Sequence, residues 1–274
     1  MTRPDLTFFQ LTDTHIGPAG EGADTLRTAL AMIEGSGVPT AALLLTGDLT
    51  ADGDTTSYRL LRQLVEPVAR RIGAEPVYVM GNHDRRLAFY PELLDEPPSD
   101  RPYDTVREFD GVRVAVLDTT EPGEHDGHLA DDQLARLRAV LAEPAPRGTV
   151  LVFHHPPVPS PVPSVNLLRL RAPERLRDAI EGTDVRLVVT GHAHHAGCGA
   201  LADVPVWIGP ALAYAVAPVP PRGRLKADAH TAFSRIDVFG DQIVVTAVPL
   251  SPVADTVYDV AEADRMRFLE GLLR

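Results

Sequence analysis

The chain has one cysteine, Cys198, in 274 residues. No intrachain disulfide is possible, and a reducing compartment fits. Cys198 itself reads as a small buried or half-buried residue. Cations are also scarce: Lys and Arg total 26 against 38 Asp and Glu, a net charge of −12. That balance excludes bulk binding to a nucleic-acid polymer or an anionic membrane. It does not exclude a small phosphate substrate, because bound divalent cations would dominate the local field. No apolar stretch approaches the ~20 residues of a membrane span, so no integral membrane association is expected. The N-terminus runs straight into a strand-like segment with no leader pattern, which makes the cytoplasm the expected location. No internal repeat marks a solenoid.

What is present is a strand–helix alternation. Residues 6–12 read as a strand, and 23–34 as a helix through Leu26, Leu30 and Ile33 that Gly35 and Gly37 stop. Residues 41–46 form a continuous apolar run, a strand covered on both faces. Residues 55–72 have helical spacing, with Pro67 expected to kink or divide the helix. A strand over 76–80 follows. This alternation predicts an α/β protein with parallel crossovers. Residues 85–102 look loose. Residues 103–109 and 112–117 read as a hairpin across Asp110-Gly111, 131–141 as a helix, and 149–153 as a strand. The proline-rich run to Pro163 is a loop. Residues 173–181 form a short helix and 185–190 an apolar strand. From Val204 strands over 204–208, 232–239 and 242–248 follow without helices, which suggests a second, more antiparallel sheet. Residues 209–230 look like a long mobile loop, and 257–273 like a C-terminal helix. No domain boundary is visible, so a single domain over 1–274 is expected, with the motifs in 13–194 and the second-sheet strands and C-terminal helix in 204–274.

The polar residues fall where these strands end. The five ends carry Asp13-x-His15, Gly47-Asp48, Gly81-Asn82-His83-Asp84, His154-His155-Pro156 and Gly191-His192-x-His194. Open α/β sheets place their chemistry at the carboxyl ends of strands. Carboxylate oxygen and imidazole nitrogen without thiolate suit Zn, Mn, Fe or Ni. The inventory is too large for one tetrahedral site and about right for two metals sharing a carboxylate. Two metals ~3.5–4 Å apart form the phosphoester-hydrolysis device: they hold a bridging water, lower its pKa and clamp the phosphoryl oxygens. Glycines before Asp48, Asn82 and His192 let the backbone turn sharply. Asp84 is placed to hold the His83 imidazole in one tautomer.

In these five motifs the sequence resembles the calcineurin-like metallophosphoesterase superfamily. It is most similar to the bacterial class III cyclic-nucleotide phosphodiesterases. That narrower likeness lies in Val79-Met80-Gly81-Asn82-His83-Asp84, in Val116-Leu117-Asp118-Thr119-Thr120 with Pro122-Gly123 and Gly127-His128, in Phe153-His154-His155-Pro156-Pro157, and in the approach from Arg147-Gly148-Thr149 into Val150. The resemblance implies a four-layer α/β/β/α sandwich of two mixed sheets flanked by helices. It implies that Asp13, His15 and His194 hold one metal, that Asn82, His154 and His192 hold the other, and that Asp48 bridges. It implies that His83 binds no metal but assists departure of the leaving oxygen, with Asn82 steadying the developing charge and Asp84 supporting His83. Adjacent strand residues point to opposite sides, so one of His154 and His155 is the ligand, and the family form selects His154. His155 is expected to pack beneath the site or to hydrogen-bond nearby.

The implied activity is a metal-dependent phosphodiesterase, with Fe, Mn or Zn as the ions and a cyclic nucleotide, 3′,5′ or 2′,3′, as substrate. A metal-bridging hydroxide would attack phosphorus. A glycerophosphodiesterase or a phosphomonoesterase is the alternative, and a non-catalytic metal-stabilised regulatory protein the remote one. His125, His128, His195 and His230 read as structural or exposed, and Asp118 as a strand-end turn residue. Arg222, Arg224 and Lys226 read as a solvated basic cluster. The C-terminal helix, with Met266, Leu269, Leu272 and Leu273 on one side, packs on its own core, a homodimer contact being the alternative.

Overall fold

A computed structural model describes residues 3–250 and 260–272. In chain order the first half comprises β1 (Leu6–Leu11), α1 (Ala23–Ser36), β2 (Ala42–Thr46), α2 (Thr55–Ile72), β3 (Glu75–Val79), α3 (Arg86–Leu93), β4 (Thr105–Phe109), β5 (Val112–Val116), α4 (Asp131–Leu141) and β6 (Thr149–Val152). The second half comprises α5 (Pro173–Ile180), β7 (Val185–Thr190), β8 (Gly197–Leu201), β9 (Val204–Ile208), β10 (Ala215–Val216), β11 (Ala227–Asp228), β12 (Ala232–Phe239), β13 (Gln242–Pro249) and α6 (Glu262–Leu272).

Two mixed sheets carry the fold. One runs β13-β12-β1-β2-β3 and the other β4-β5-β6-β7-β9-β8. The central strands β1, β2 and β3 are parallel, as are β5, β6, β7 and β9. All their carboxyl ends therefore face the same edge of each sheet. Period-two alternation sorts the side chains. Phe9, Leu11, Leu43 and Leu45 pack on α1 and α2, whereas Phe8, Leu44, Val77 and Val79 meet Val114, Val116, Val150 and Val152 between the sheets. On the far side Leu151 and Val188 pack against Leu134, Leu137 and Leu176 of α4 and α5. The result is the α/β/β/α layering.

Several sequence expectations need correction. The late strands do not make a sheet of their own. β12 and β13 extend the first sheet, antiparallel beside β1, and β9 joins the second, parallel to β7. Burial of β12 on both faces, through Phe233, Ile236 and Val238, is what a strand inside an existing sheet needs. Residues 85–102 are not all loose: α3 buries Phe89, Tyr90 and Leu93. Its eight residues and the proline at 91 hid it from a search for longer periodicity. Residues 197–201 form β8, and Cys198 on it is exposed rather than buried. The 209–230 segment carries a small hairpin, β10 with β11. Pro67 does not divide α2, which continues to Ile72 and closes on Gly73 in the left-handed conformation.

Among the described residues no helix is long and apolar enough to cross a membrane. The proposed C-terminal face lies partly outside the described residues: Leu273 and the side chains of Leu269 and Leu272 fall there.

Leu44 is fully buried between the sheets. Leu44→Ala should cost about 2–5 kcal/mol in urea unfolding, since the rigid strands around it cannot collapse into the void. A cost under ~0.5 kcal/mol would mean that the two sheets are not packed face to face there.

Candidate metal centre

The carboxyl ends of β1, β2, β3, β6 and β7 converge where the two sheets meet. Asp13, His15, Asp48 and His194 present ligand atoms within 4.8 Å of one another, and so do His154, His155 and His192. Asp48 sits between the groups. Its Oδ2 lies 3.6 Å from His15 Nε2 and 3.4 Å from His154 Nε2. Asp13 Oδ1 lies 3.4 Å from His194 Nε2 and 4.0 Å from His154 Nε2.

Local backbone geometry sets these positions. Asp13, His15, Asp48, His192 and His194 all have φ between 43° and 68°. Non-glycine residues avoid this left-handed region, and such strain persists only where the surroundings over-determine it. Here they do. Asp13 N donates to Gly47 O, His15 N to Asp48 O and Gly191 N to His154 O. Thr12 Oγ1 donates to Asp13 Oδ2 at 2.7 Å, and His192 N donates to both Asp13 oxygens. Gln10 Nε2 spans the sheets to Thr46 Oγ1 and Thr190 O. Two glycines are required by close approach. A Cβ on Gly81 would lie 2.2 Å from Asp48 N, and one on Gly191 would lie 2.0 Å from Thr12 Oγ1.

Two of the imidazoles, His154 and His194, are oriented through the far nitrogen, as ligating histidines usually are. His154 Nδ1 donates to Thr46 O at 2.9 Å and His194 Nδ1 to Tyr214 O at 3.0 Å. Their Nε2 atoms are then free to face the carboxylates. His192 Nδ1 faces His154 Nε2 at 3.2 Å, and His15 Nε2 faces His194 Nε2 at 3.2 Å. Nitrogens that approach so closely need a proton or a cation between them. Asn82 Oδ1 is buried without a hydrogen-bond partner, an arrangement that costs ~1–3 kcal/mol unless something takes its lone pair. Imidazole nitrogens, carboxylates and one orphaned amide oxygen, with no thiolate, fit borderline transition-metal ions.

Charge is tuned accordingly. Burial opposes ionisation of Asp13, but His194 outweighs it and lowers the carboxyl to about 2. Burial likewise opposes the Asp48 carboxylate, yet His154 and His15 hold it well below the usual range. Burial opposes charge on His154, while Asp48 and Asp13 raise it to about 9. Burial and the neighbouring His154 push His192 down to about 4.

One expectation about Asp84 fails. Its carboxylate does not touch the His83 ring. It accepts from Gly81 N, Leu49 N, Thr50 N and Oγ1, and Tyr58 Oη. It therefore ties the Asp48 loop to the Asn82 loop, and burial together with Asp48 raises it to about 7. His83 is fixed instead by Ala51 O, 2.8 Å from Nδ1, while its own N–H donates to Asp48 Oδ1.

His155 is buried beside His154 and His192, with Nδ1 2.7 Å from Thr119 Oγ1 and Nε2 unpartnered. His195 bonds Ser160 Oγ, which tethers the proline-rich loop. Asp118 is more than a turn residue, since it forms a buried ion pair with Arg86. Two contributors escaped the sequence reading. The Tyr214 ring lies 4.2 Å from that of His194 and stays 43% exposed, and its carbonyl orients that histidine. The Ala51 carbonyl does the same for His83. Neither carries a pattern, because one lies in an irregular loop and the other acts through its backbone.

Gly81→Ala should keep the fold but weaken metal binding ~10–100-fold, as loss of a supporting contact does. Metal content after dialysis against a chelator checks this, and wild-type retention would contradict it. His154, with its raised pKa, carries a proton at neutral pH until an ion takes its lone pair. Metal uptake at pH 7 should therefore release protons, and affinity should climb as pH rises through about 9, the proton competing for His154 fading only above that. Calorimetry in buffers of different ionisation enthalpy reads the proton count, and a count of zero would contradict the assignment.

Comparison with known proteins agrees with this geometry. Residues 6–196 match the family model described as calcineurin-like phosphoesterase. The chain is 39% identical over 269 residues to a probable cyclic nucleotide phosphodiesterase of Rhodococcus erythropolis, covering 96% of this chain and 89% of that one. It is 40% identical over 259 residues to a cAMP/cGMP dual specificity phosphodiesterase of Mycobacterium tuberculosis, covering 90% of this chain and 80% of that one. Its fold is similar to that of a dimetal phosphatase from Danio rerio, with a TM-score of 0.63 at 16% identity over 90% of this chain and 97% of that one. The chain belongs to the calcineurin-like phosphoesterase family of metal-dependent phosphoric ester hydrolases.

Proposed function

We propose that this protein hydrolyses cyclic nucleotides to nucleoside monophosphates at a centre of two metal ions. The observation that carries the reading is Asp48, whose Oδ2 faces His15 of one ligand group and His154 of the other. Asp13, His15, Asp48 and His194 would hold one ion, and Asp48, Asn82, His154 and His192 the other. Fe, Mn or Zn suits this donor set. Bound there, the ions would supply Lewis acidity to the phosphoryl oxygens and a water of lowered pKa. The names of the relatives from Rhodococcus and Mycobacterium support the cyclic-nucleotide substrate.

The protein's own groups do the rest. Asn82 and His83 lie side by side at the edge of the cluster, and the His83 ring centroid is 4.7 Å from that of His15. With Nδ1–H given to the Ala51 carbonyl, Nε2 is the atom left to pass a proton to the departing ester oxygen. Asp48 Oδ1 fixes the backbone of His83, so the ring keeps station with the cluster. The Tyr214 ring covers His194 and limits water on that side. The exposed thiol of Cys198 suits a reducing compartment, and we place the reaction in the cytoplasm.

The test is hydrolysis of cyclic AMP by Mn-loaded protein, with an aryl phosphodiester assayed in parallel. Both should turn over, and Asn82→Ala should lose both. His83→Ala should keep its metal content and slow turnover ~10²–10⁴-fold, most for poor leaving groups. Turnover of the aryl ester alone would move the substrate to glycerophosphodiesters or monoesters. Loss of a metal in His83→Ala would contradict the role given to that residue.

A further inference from the structure

The cluster opens on one side into a cleft of about 710 Å3, within the ~300–1,000 Å3 typical of small-molecule sites. Asn82 and His83 line the cleft, and His83 reaches the cluster through its N–H to Asp48 and its ring beside His15. The other walls include Ala51 to Gly53, Arg85 and the first turn of α3, Asp100, the 120–123 loop and His125.

Three features define its chemistry. First, Leu87 lines the cleft while 64% exposed, and Pro122 in the 120–123 loop lines it too. Both are exposed among the described residues and offer bare carbon surface. Second, Arg86 is not available to an anion. Its Nε donates to Asp118 at 2.9 Å, its Nη1 to Asp100 O and its Nη2 to Thr120 O. Third, Asp52, Asp100 and Glu121 line the cleft and are exposed, and among the described residues they form no ion pair. Arg85 is the one cation there without a carboxylate partner among those residues, one positive charge against three negative.

We propose that this cleft holds the nucleoside of the substrate, with the base against Leu87 and Pro122 and with the carboxylates of Asp52, Asp100 and Glu121 turning away any second phosphate. The proposal rests on the cyclic-nucleotide reading above and narrows it to mononucleotide esters. The geometry follows from His83. The departing oxygen must come within reach of its Nε2, so the sugar bearing that oxygen extends into the cleft that His83 closes. A base is flat, uncharged and largely apolar on its faces, which matches exposed carbon walls. A dinucleotide would bring its other phosphate toward a rim of three carboxylates against the single guanidinium of Arg85, where the net like charge opposes entry.

Adenosine is the direct probe, because it has no phosphate for the metals to hold. Its affinity for the metal-loaded full chain is measured by calorimetry, in wild type and in Leu87→Asp. Leu87 is exposed and in the first turn of a helix, where aspartate is well tolerated, and an unchanged melting temperature verifies the fold. Adenosine should bind ~10-fold more weakly to the variant, and KM for cyclic AMP should rise by a similar factor with kcat little changed, as loss of uniform binding requires. Unchanged affinity and KM overturn the cleft assignment. A wild type that binds adenosine but does not turn over cyclic AMP refutes the reaction and leaves the cleft assignment standing. In the second arm, wild type should prefer cyclic AMP over a cyclic dinucleotide in kcat/KM, and the triple variant Asp52→Asn, Asp100→Asn, Glu121→Gln should narrow that preference. Equal use of both by wild type overturns the role of the rim.

Discussion

The structure depends on one carboxylate held between two groups of imidazoles. Asp48 follows β2 in the first sheet, and His154 Nε2, which lies 3.4 Å from it, follows β6 in the second. A buried anion is unfavourable by itself and becomes tolerable only when cations or strong donors surround it. The convergence of histidines on Asp48 therefore acts as an electrostatic clamp between the sheets. It explains why the backbone accepts left-handed φ at five positions within the cluster. The strain places the side chains, and hydrogen bonds between the strand-end loops hold it.

Asp84 has a related part that the sequence misassigned. Asp84 and His83 are neighbours in the chain, and an Asp beside a His suggests a tautomer-fixing pair. In the fold Asp84 turns away and collects donors from Gly81, Leu49, Thr50 and Tyr58. It keeps two loops in register, and the backbone carbonyl of Ala51 takes over the orientation of His83. Adjacent residues in a tight turn point in different directions, so sequence proximity is a poor guide to contact there.

Much of the fold was legible for a definite reason. β2, β6 and β7 are short apolar runs that end in polar motifs, and α2 and α4 have long apolar stripes. Both signals are local. The sheet membership of β12 and β13 was not legible, because pairing with β1 is a contact across more than two hundred residues. α3 was hidden by its length and its proline. In the site, Asp13, His15, Asp48, His154, His192 and His194 fall in the two groups, and Asn82, next in the chain to His83 whose N–H meets Asp48, has an orphaned oxygen. His155 is also there, fixed by Thr119, a partner that no spacing rule announces. Tyr214 lies in a loop whose path only the tertiary structure defines.

The central claim is that two metal ions share Asp48. Anomalous X-ray diffraction from crystals of Mn-loaded protein, collected on either side of the Mn absorption edge, tests it most directly. Two anomalous peaks ~3.5–4 Å apart should flank the Asp48 carboxylate, one toward Asp13, His15 and His194 and the other toward Asn82, His154 and His192. A single peak, or a pair that leaves Asp48 or Asn82 out of the coordination, would contradict it.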